Sequence, residues 1–304
     1  VEPIREPNLA LESFAAGRPE LAFTIDPQFG VTSSIYDRMG YLTGADTRPP
    51  ETVALDFITS NLDLLGLSQD DLAEYEVTDL VVNQSTGSTH LYLRQRYQGI
   101  PVYNALLQVN VNRDGRIMSV NNAWVPSLPA IANAAAPAVT AGQAVQQAAG
   151  HLGLSLAAAP SALAAPDGAT MQTKVDPTGV SLEPIEAELM WLPIRRGDVR
   201  LVWNFQVHTD DRQHAYDMTV DASGGDVWTR FDWVAGDSYR VYPAPAESPS
   251  HVSPAPPNDG RTLVTNPADA TASPFGWHDV DGVAGADYTI MRGNNVHAYV
   301  DSDA

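Results

Sequence analysis

The seven histidines are the side chains of this sequence best suited to bind a transition metal, and their spacing decides whether they can do so. A zinc peptidase of the His-Glu-x-x-His type carries two imidazoles on one helix face, beside a glutamate that activates water. That pentapeptide occurs nowhere between Val1 and Ala304. His208 and His214 are six residues apart. They flank an Asp210-Asp211 turn, so we expect them on a hairpin surface rather than at a metal.

The carboxylates and nucleophiles form no complete catalytic set either. Glu183, Glu186 and Glu188 are close in sequence, but a glycosidase needs two carboxylates about 5 to 10 Å apart across a sugar, which sequence proximity does not provide. Asp301 and Asp303 could begin a calcium loop, although a solvated acidic run is the simpler interpretation. The sequence contains no cysteine. It also lacks a Gly-x-Ser-x-Gly element, so neither thiol chemistry nor a serine hydrolase of that type is supported.

The charge balance argues against polyanionic partners. The 304 residues include 37 acidic and 17 basic side chains, giving a net charge of −20 at pH 7. Such a charge repels phosphate backbones and anionic headgroups, so we predict no nucleic acid partner and no membrane partner. No stretch approaches the roughly 20 apolar residues of a membrane span, and the N-terminus lacks the pattern of a signal peptide. The protein is therefore either cytosolic or one whose signal peptide was removed or not included.

The first half of the chain indicates a helix followed by antiparallel strands. Residues 1–45 show no regular apolar period, so we predict an extended N-terminal arm. Apolar residues recur at helical spacing in residues 50–65, after two prolines and before Gly66, which predicts an amphipathic helix. A three-stranded meander is expected over residues 91–97, 103–111 and 117–120, with turns at Gly99 and at Asp114-Gly115.

The second half again indicates a helix followed by strands, and then a proline-rich stretch. Thr140-Ala-Gly-Gln143 fits a capping box, and the helix that it starts should end at Gly153. Strands are expected at residues 186–192, 199–209, 216–220 and 227–234. Leu201 and Trp203 begin a clean alternation in the second of these, so one face should pack against the helix. Six prolines between Pro243 and Pro257 then predict an exposed irregular loop.

Three segments in this order carry a resemblance to a known family. Tyr97-Gln98-Gly99-Ile100-Pro101-Val102, followed by Asp114-Gly115-Arg116, resembles the fungalysin/thermolysin propeptide motif. The unit from residue 140 to about 234, with Val202-Trp203-Asn204-Phe205 and Asp221-Ala222-Ser223-Gly224-Gly225, resembles a PepSY-type propeptide domain. Residues 238–243, 273–278 and 292–299 are similar to the opening of a fungalysin catalytic domain.

The resemblance implies an α+β precursor of a secreted, extracellular zinc metalloendopeptidase. It implies four regions: an arm over residues 1–45, a propeptide module over 46–130, a PepSY-like module over 131–236, and a β-rich start of the catalytic domain over 237–304. Both modules should be antiparallel sheets with packed helices. The propeptide should assist folding and inhibit the enzyme. Zinc, and with it peptide-bond hydrolysis, should belong to a catalytic polypeptide outside these residues, so no catalytic or metal-binding residue is assigned here.

A propeptide of this kind is cut near its end, and the freed end would resemble a product in the active-site cleft. The candidate inhibitory and cleavage segment is Phe231, Asp232, Trp233, Val234, Ala235, Gly236, Asp237 and Ser238. Expected partners are the remaining catalytic polypeptide and protein or peptide substrates. A free-standing secreted inhibitor or binding protein that reuses these modules is the first alternative, and a β-rich adhesion protein with a proline-rich stalk is the second.

Overall fold

The computed structural model of this chain describes residues 9–133, 136–210, 214–234, 238–242, 261–265 and 269. The helices are α1 (Leu9–Ala15), α2 (Pro50–Ser60), α3 (Leu62–Leu65), α4 (Leu128–Ile131) and α5 (Ala141–Leu152), with a 3₁₀ turn at Asp70–Leu72. The strands are β1 (Leu21–Ile25), β2 (Thr32–Asp37), β3 (Tyr75–Val82), β4 (Thr89–Tyr97), β5 (Ile100–Val111), β6 (Ile117–Asn122), β7 (Thr173–Val175), β8 (Ile185–Arg195), β9 (Asp198–His208), β10 (Ala215–Asp221), β11 (Val227–Asp232), β12 (Ser238–Val241) and β13 (Thr262–Thr265). No helix among the described residues is long and apolar enough to cross a bilayer.

One curled sheet joins both halves of the described chain. Its main path runs β1-β2-β6-β5-β8-β9-β10-β11; β4 also pairs with β5, β3 with β4, and β7 with β8. All pairings are antiparallel except that of β5 with β8, where Val102 lies opposite Trp191. The Trp191 indole Nε1 donates to the Tyr97 carbonyl at 3.0 Å across this junction. An α+β class is compatible with this architecture, and the division into two modules stays a prediction.

Within residues 9–45, the described part of the N-terminal segment is not the extended arm predicted for residues 1–45. It forms α1 and the β1–β2 hairpin, and β2 pairs with β6. Leu11, Val31 and Ile35 are buried in the common core. The strand with which this segment pairs lies about eighty residues later in the sequence. Because that long-range pairing, rather than local propensity, determines its structure, the segment shows no regular apolar period.

The two predicted helical regions are helical, although the first is divided at Asn61 into α2 and α3, and α1 and α4 were not predicted. α2 begins at Pro50, and Gly66 ends α3 with a left-handed φ of 75°, as expected for a C′ glycine. Thr140 caps α5 through the predicted capping box with Gln143. Gly153 follows α5 in the left-handed conformation. Ala144 and Val145 of α5 are fully buried in the core shared with β9 and β10.

The predicted meander is confirmed as β4, β5 and β6, and its last turn is tightly constrained. Gly115 has a φ of 73°, and a Cβ at this position would lie 1.9 Å from the Asp46 carbonyl oxygen. The Asp46 amide donates to the Asp114 carbonyl at 3.1 Å. The Asp114-Gly115 turn therefore packs directly on the loop before α2, where only glycine fits.

The four strands predicted in the second half are present as β8 to β11. Trp203 and Phe205 of β9 are buried, and the Trp203 indole Nε1 donates to the Val139 carbonyl just before α5 at 2.7 Å. One face of β9 therefore packs on the helix side, as the alternation predicted. Of residues 237–304, the structure describes the β12–β13 ladder, Tyr242, Arg261 and Asp269. The predicted proline-rich loop lies outside the described residues.

Candidate functional site: the segment that leaves the sheet

The candidate segment begins in β11, at one end of the main strand path. Phe231 lies opposite Asp217 and Asp232 opposite Tyr216 in the β10–β11 ladder. The Trp233 amide continues the ladder by donating to the Ala215 carbonyl at 2.9 Å. Of the other predicted residues, Val234 is described, Ala235, Gly236 and Asp237 lie outside the described residues, and Ser238 opens β12.

Asp232 fixes the end of this strand. Its Oδ1 accepts hydrogen bonds from the Ala215 amide at 3.2 Å and the Val234 amide at 3.1 Å. Its Oδ2 is hydrogen-bonded to His214 Nδ1 at 2.5 Å. Because both carboxylate oxygens are occupied, Asp232 positions the backbone of Trp233 and Val234 rather than presenting a free carboxylate.

His214 also belongs to this support. Its ring stacks on Tyr216 with centroids 4.9 Å apart and planes 13° apart. Its amide donates to Thr209 Oγ1 at 3.1 Å, across the turn from His208. Among the described residues, no three His, Asp or Glu side chains cluster so as to hold a metal ion. The described part of the chain therefore does not fit the zinc that the resemblance implies.

The described apolar side chains of the segment are open to solvent. Phe231 is 52% exposed, Trp233 67% and Val234 38%, and Trp228 of the same strand is 39% exposed. Large apolar side chains grouped on an exposed surface mark interaction sites more often than they mark ordinary surface. Hydrogen bonds therefore hold the backbone of this segment in place, while its apolar side chains are accessible to a binding partner.

The predicted turn before β11 is built around Asp221. Its Oδ1 accepts from the Ser223 amide at 2.7 Å and the Gly224 amide at 2.8 Å, and its Oδ2 accepts from Trp228 Nε1 at 3.1 Å. Burial alone would raise the pKa of this carboxyl, but these hydrogen bonds outweigh burial and lower the pKa. The turn therefore favours the charged form of Asp221 and sets the direction in which β11 leaves it.

A second polar group, not recognised from the sequence, lies beside the segment. Asp217 is buried, and its carboxylate accepts from the Tyr103 hydroxyl at 3.1 Å and from Asn204 Nδ2 at 2.7 Å. Burial, followed by the negative charge of Asp217, raises the pKa of Tyr103 to about 12. The contact joins β5 to β10. The sequence alternation of β8 and β9 predicts which side chains face away from the core. It gives no sign that the Tyr103 side chain of β5 contacts Asp217 of β10.

The other sequence candidates are distributed as follows. The Glu186 carboxylate is paired with Lys174 Nζ at 2.9 Å. Glu188 is half-buried, and Glu183 is exposed in the preceding loop. Asp301 and Asp303, the calcium candidates, lie outside the described residues, as do His251, His278 and His297.

Comparison with known proteins gives two family matches in the order expected from the resemblance. Residues 73–123 match the Fungalysin/Thermolysin Propeptide Motif, and residues 238–304 match the Fungalysin metallopeptidase (M36) family. The first match spans β3 to β6. The second begins at Ser238, directly after the candidate segment.

Curated relatives agree with these matches. "Extracellular metalloproteinase MEP" of Leptosphaeria maculans is 30% identical over 213 residues, which are 69% of this chain and 32% of the relative. "Extracellular metalloproteinase 2" of Phaeosphaeria nodorum is 32% identical over 228 residues, 73% of this chain and 33% of the relative. "Probable extracellular metalloproteinase 5" of Trichophyton verrucosum is 28% identical over 283 residues, 88% of this chain and 41% of the relative. The chain thus spans about a third of the length of the first two relatives.

Among solved structures, the "Bacillus megaterium YpeB C-terminal domain" has a TM-score of 0.31 and 8% identity, covering 74% of this chain and 94% of that chain. That similarity is too low to bear on function. The two family matches and the extracellular metalloproteinases together show that this chain is similar to the fungalysin family of metallopeptidases, with the propeptide motif followed by a stretch that matches the peptidase region.

Proposed function

We propose that this chain is the propeptide of a secreted zinc metalloendopeptidase, together with the first stretch of its peptidase region. The observation that carries the proposal is the order of the two family matches, with an exposed and hydrogen-bonded segment between them. In this proposal the folded sheet binds the peptidase and stabilises its native state, because a ligand of the native state shifts folding by mass action. The zinc ion and the residues that bind it belong to the peptidase region beyond residue 304.

The exposed segment supplies the inhibitory contact. Phe231, Trp233 and Val234 present apolar side chains; pairing with β10 holds the main chain extended to Trp233, and the Asp232 carboxylate then fixes a bend at Val234. An extended peptide with accessible side chains is the conformation that a peptidase cleft binds. Cleavage between residues 234 and 238 would leave this end as a bound product, and its dissociation would release activity.

Within this proposal the chain alone hydrolyses no peptide bond, because it lacks His-Glu-x-x-His. Its role is inhibition and assistance in folding. An extracellular location fits the names of its relatives, which are extracellular metalloproteinases.

The test is to produce the precursor that contains this chain and the complete peptidase region, and to follow mass and activity over time. We expect activity against a quenched fluorescent peptide to rise as the precursor is cut. The new N-terminus should fall between residues 235 and 238. Full activity in the uncut precursor, or cleavage far from this segment, would contradict the proposal.

A further inference from the structure

One face of the second half of the sheet carries polar side chains in register. Glu188, Asn204, Thr219 and Thr229 lie opposite one another along the β8–β9–β10–β11 ladders, and Gln206, Asp217 and Phe231 form the neighbouring row. Cross-strand partners point to the same side of a sheet, so these seven residues share one face, here called the polar face. Asp217 and Thr219 are buried, whereas the other five residues of the face are half-buried or exposed. Alternate residues such as Leu189, Phe205 and Met218 are buried in the core on the other side, with α5.

The polar face is held in a fixed arrangement. Asn204 Nδ2 donates both to Asp217 Oδ1 at 2.7 Å and to the Met218 carbonyl at 3.1 Å. The Tyr103 hydroxyl donates to the other oxygen of Asp217 at 3.1 Å, and the Thr219 and Thr229 hydroxyls are hydrogen-bonded at 2.6 Å. A surface with internally satisfied polar groups loses little conformational entropy when a partner binds it.

Two polar members of this face, Glu188 and Gln206, have no described side-chain hydrogen bond. Gln206 is exposed, whereas Glu188 is half-buried. Burial raises the pKa of Glu188; the charges of Arg94 and Arg96 partly offset this effect, while Glu76 adds to it. The ionised side chain is therefore less stable here than in the unfolded chain, and a hydrogen-bond donor from a partner would relieve this penalty.

The polar face is also next to the point where the peptidase region begins. Phe231 belongs to the face, β11 ends at Asp232, and the peptidase family match begins six residues later at Ser238. Six residues span at most about 20 Å, so the tether keeps the peptidase region close to this face.

We propose that the polar face is the docking surface for the peptidase region of the same precursor, and that Glu188 accepts hydrogen bonds from a lysine or arginine of that region. This inference rests on the proposed function. It assigns to the sheet a binding surface separate from the exposed segment that enters the cleft.

The test compares inhibition and stability in the same variants. The chain, as residues 1–304, is titrated against the mature peptidase of its own precursor, and urea unfolding is measured in parallel. Glu188→Gln should raise the inhibition constant about tenfold to hundredfold, because a hydrogen bond to a charged group is lost. The same variant should be as stable as the natural chain or more stable, since it removes a half-buried charge. Glu51→Gln on the exposed side of α2 is the matched control.

A second pair of variants probes the face without removing any described contact. Gln206→Arg places a large side chain at an exposed position of the polar face, and Gln146→Arg places it at an exposed position of α5. We expect the first to weaken inhibition at least tenfold and the second to leave it unchanged. If Glu188→Gln and Gln206→Arg both inhibit the peptidase as strongly as the natural chain does, the docking inference is overturned while the proposed function stays intact. A wild-type chain that does not inhibit would instead overturn the proposed function, and the inference with it.

Discussion

Tyr103→Phe tests whether the contact between β5 and β10 holds the two halves of the sheet together. The variant keeps the ring and removes only the hydroxyl that donates to Asp217 Oδ2 at 3.1 Å. A hydrogen bond to a charged group contributes about 1.5 to 3 kcal/mol, and the lower value applies because Tyr103 is only half-buried. With a urea m-value of about 2 kcal/mol per M, a loss of about 1.5 kcal/mol lowers the unfolding midpoint by about 0.75 M.

Tyr36→Phe is the control for this experiment, because Tyr36 is 41% exposed and its hydroxyl has no hydrogen-bond partner among the described residues. We expect its effect to stay below about 0.5 kcal/mol. The difference between the ultraviolet titrations of the natural chain and Tyr103→Phe should show one phenol with a pKa of about 12. Because this folded-state pKa lies above the unfolded value, the stability linked to Tyr103 is present below pH 10 and is lost as pH rises toward 12. Equal midpoints for the two variants would refute the argument.

Three further substitutions test the structure locally, each by urea unfolding. Gly115→Ala should lower the free energy of unfolding by at least about 2 kcal/mol, because a Cβ there meets the Asp46 carbonyl. Gly17→Ala, at a similar φ in open space, should lower it by about 1 kcal/mol. Equal losses would contradict the packing of that turn. Thr140→Val should cost about 1 kcal/mol by removing the cap of α5, and Thr140→Ser should restore most of it; a neutral Thr140→Val would exclude the cap as a source of stability. Asp221→Asn should make the free energy of unfolding depend less on pH in the acidic range. The reason is that a carboxyl with a lowered pKa contributes stability that is present above about pH 4 and is lost as pH falls further. An unchanged pH profile would refute that assignment.

The sequence predicted those elements that carry their own local signals. α5 is marked by Thr140, Gln143 and Gly153, and β9 by strict alternation, so both were found with bounds close to the observed ones. β3 was missed because its side chains are largely exposed on both faces and a register shift at Thr78 breaks any alternation. The N-terminal hairpin was missed because its burial depends on pairing with β6.

The candidate site shows the same limit. The exposed segment that begins in β11 followed from the resemblance and from chain order, but the support given by Asp232 and His214 depends on strand register that no local pattern reveals. Glu188 was visible in the sequence only as one of three nearby glutamates. Its place on the polar face follows from pairing with Asn204, which depends on strand register.

The central claim is that this chain inhibits the peptidase that follows it. The most direct measurement is a titration of the mature, zinc-loaded peptidase of the same precursor with purified residues 1–304, read as hydrolysis of a quenched fluorescent peptide. The account predicts complete inhibition at one equivalent, with an inhibition constant below about 1 µM, and at least tenfold weaker inhibition by a Phe231→Ser, Trp233→Ser double variant that keeps its unfolding midpoint. Full peptidase activity in excess chain would contradict the account.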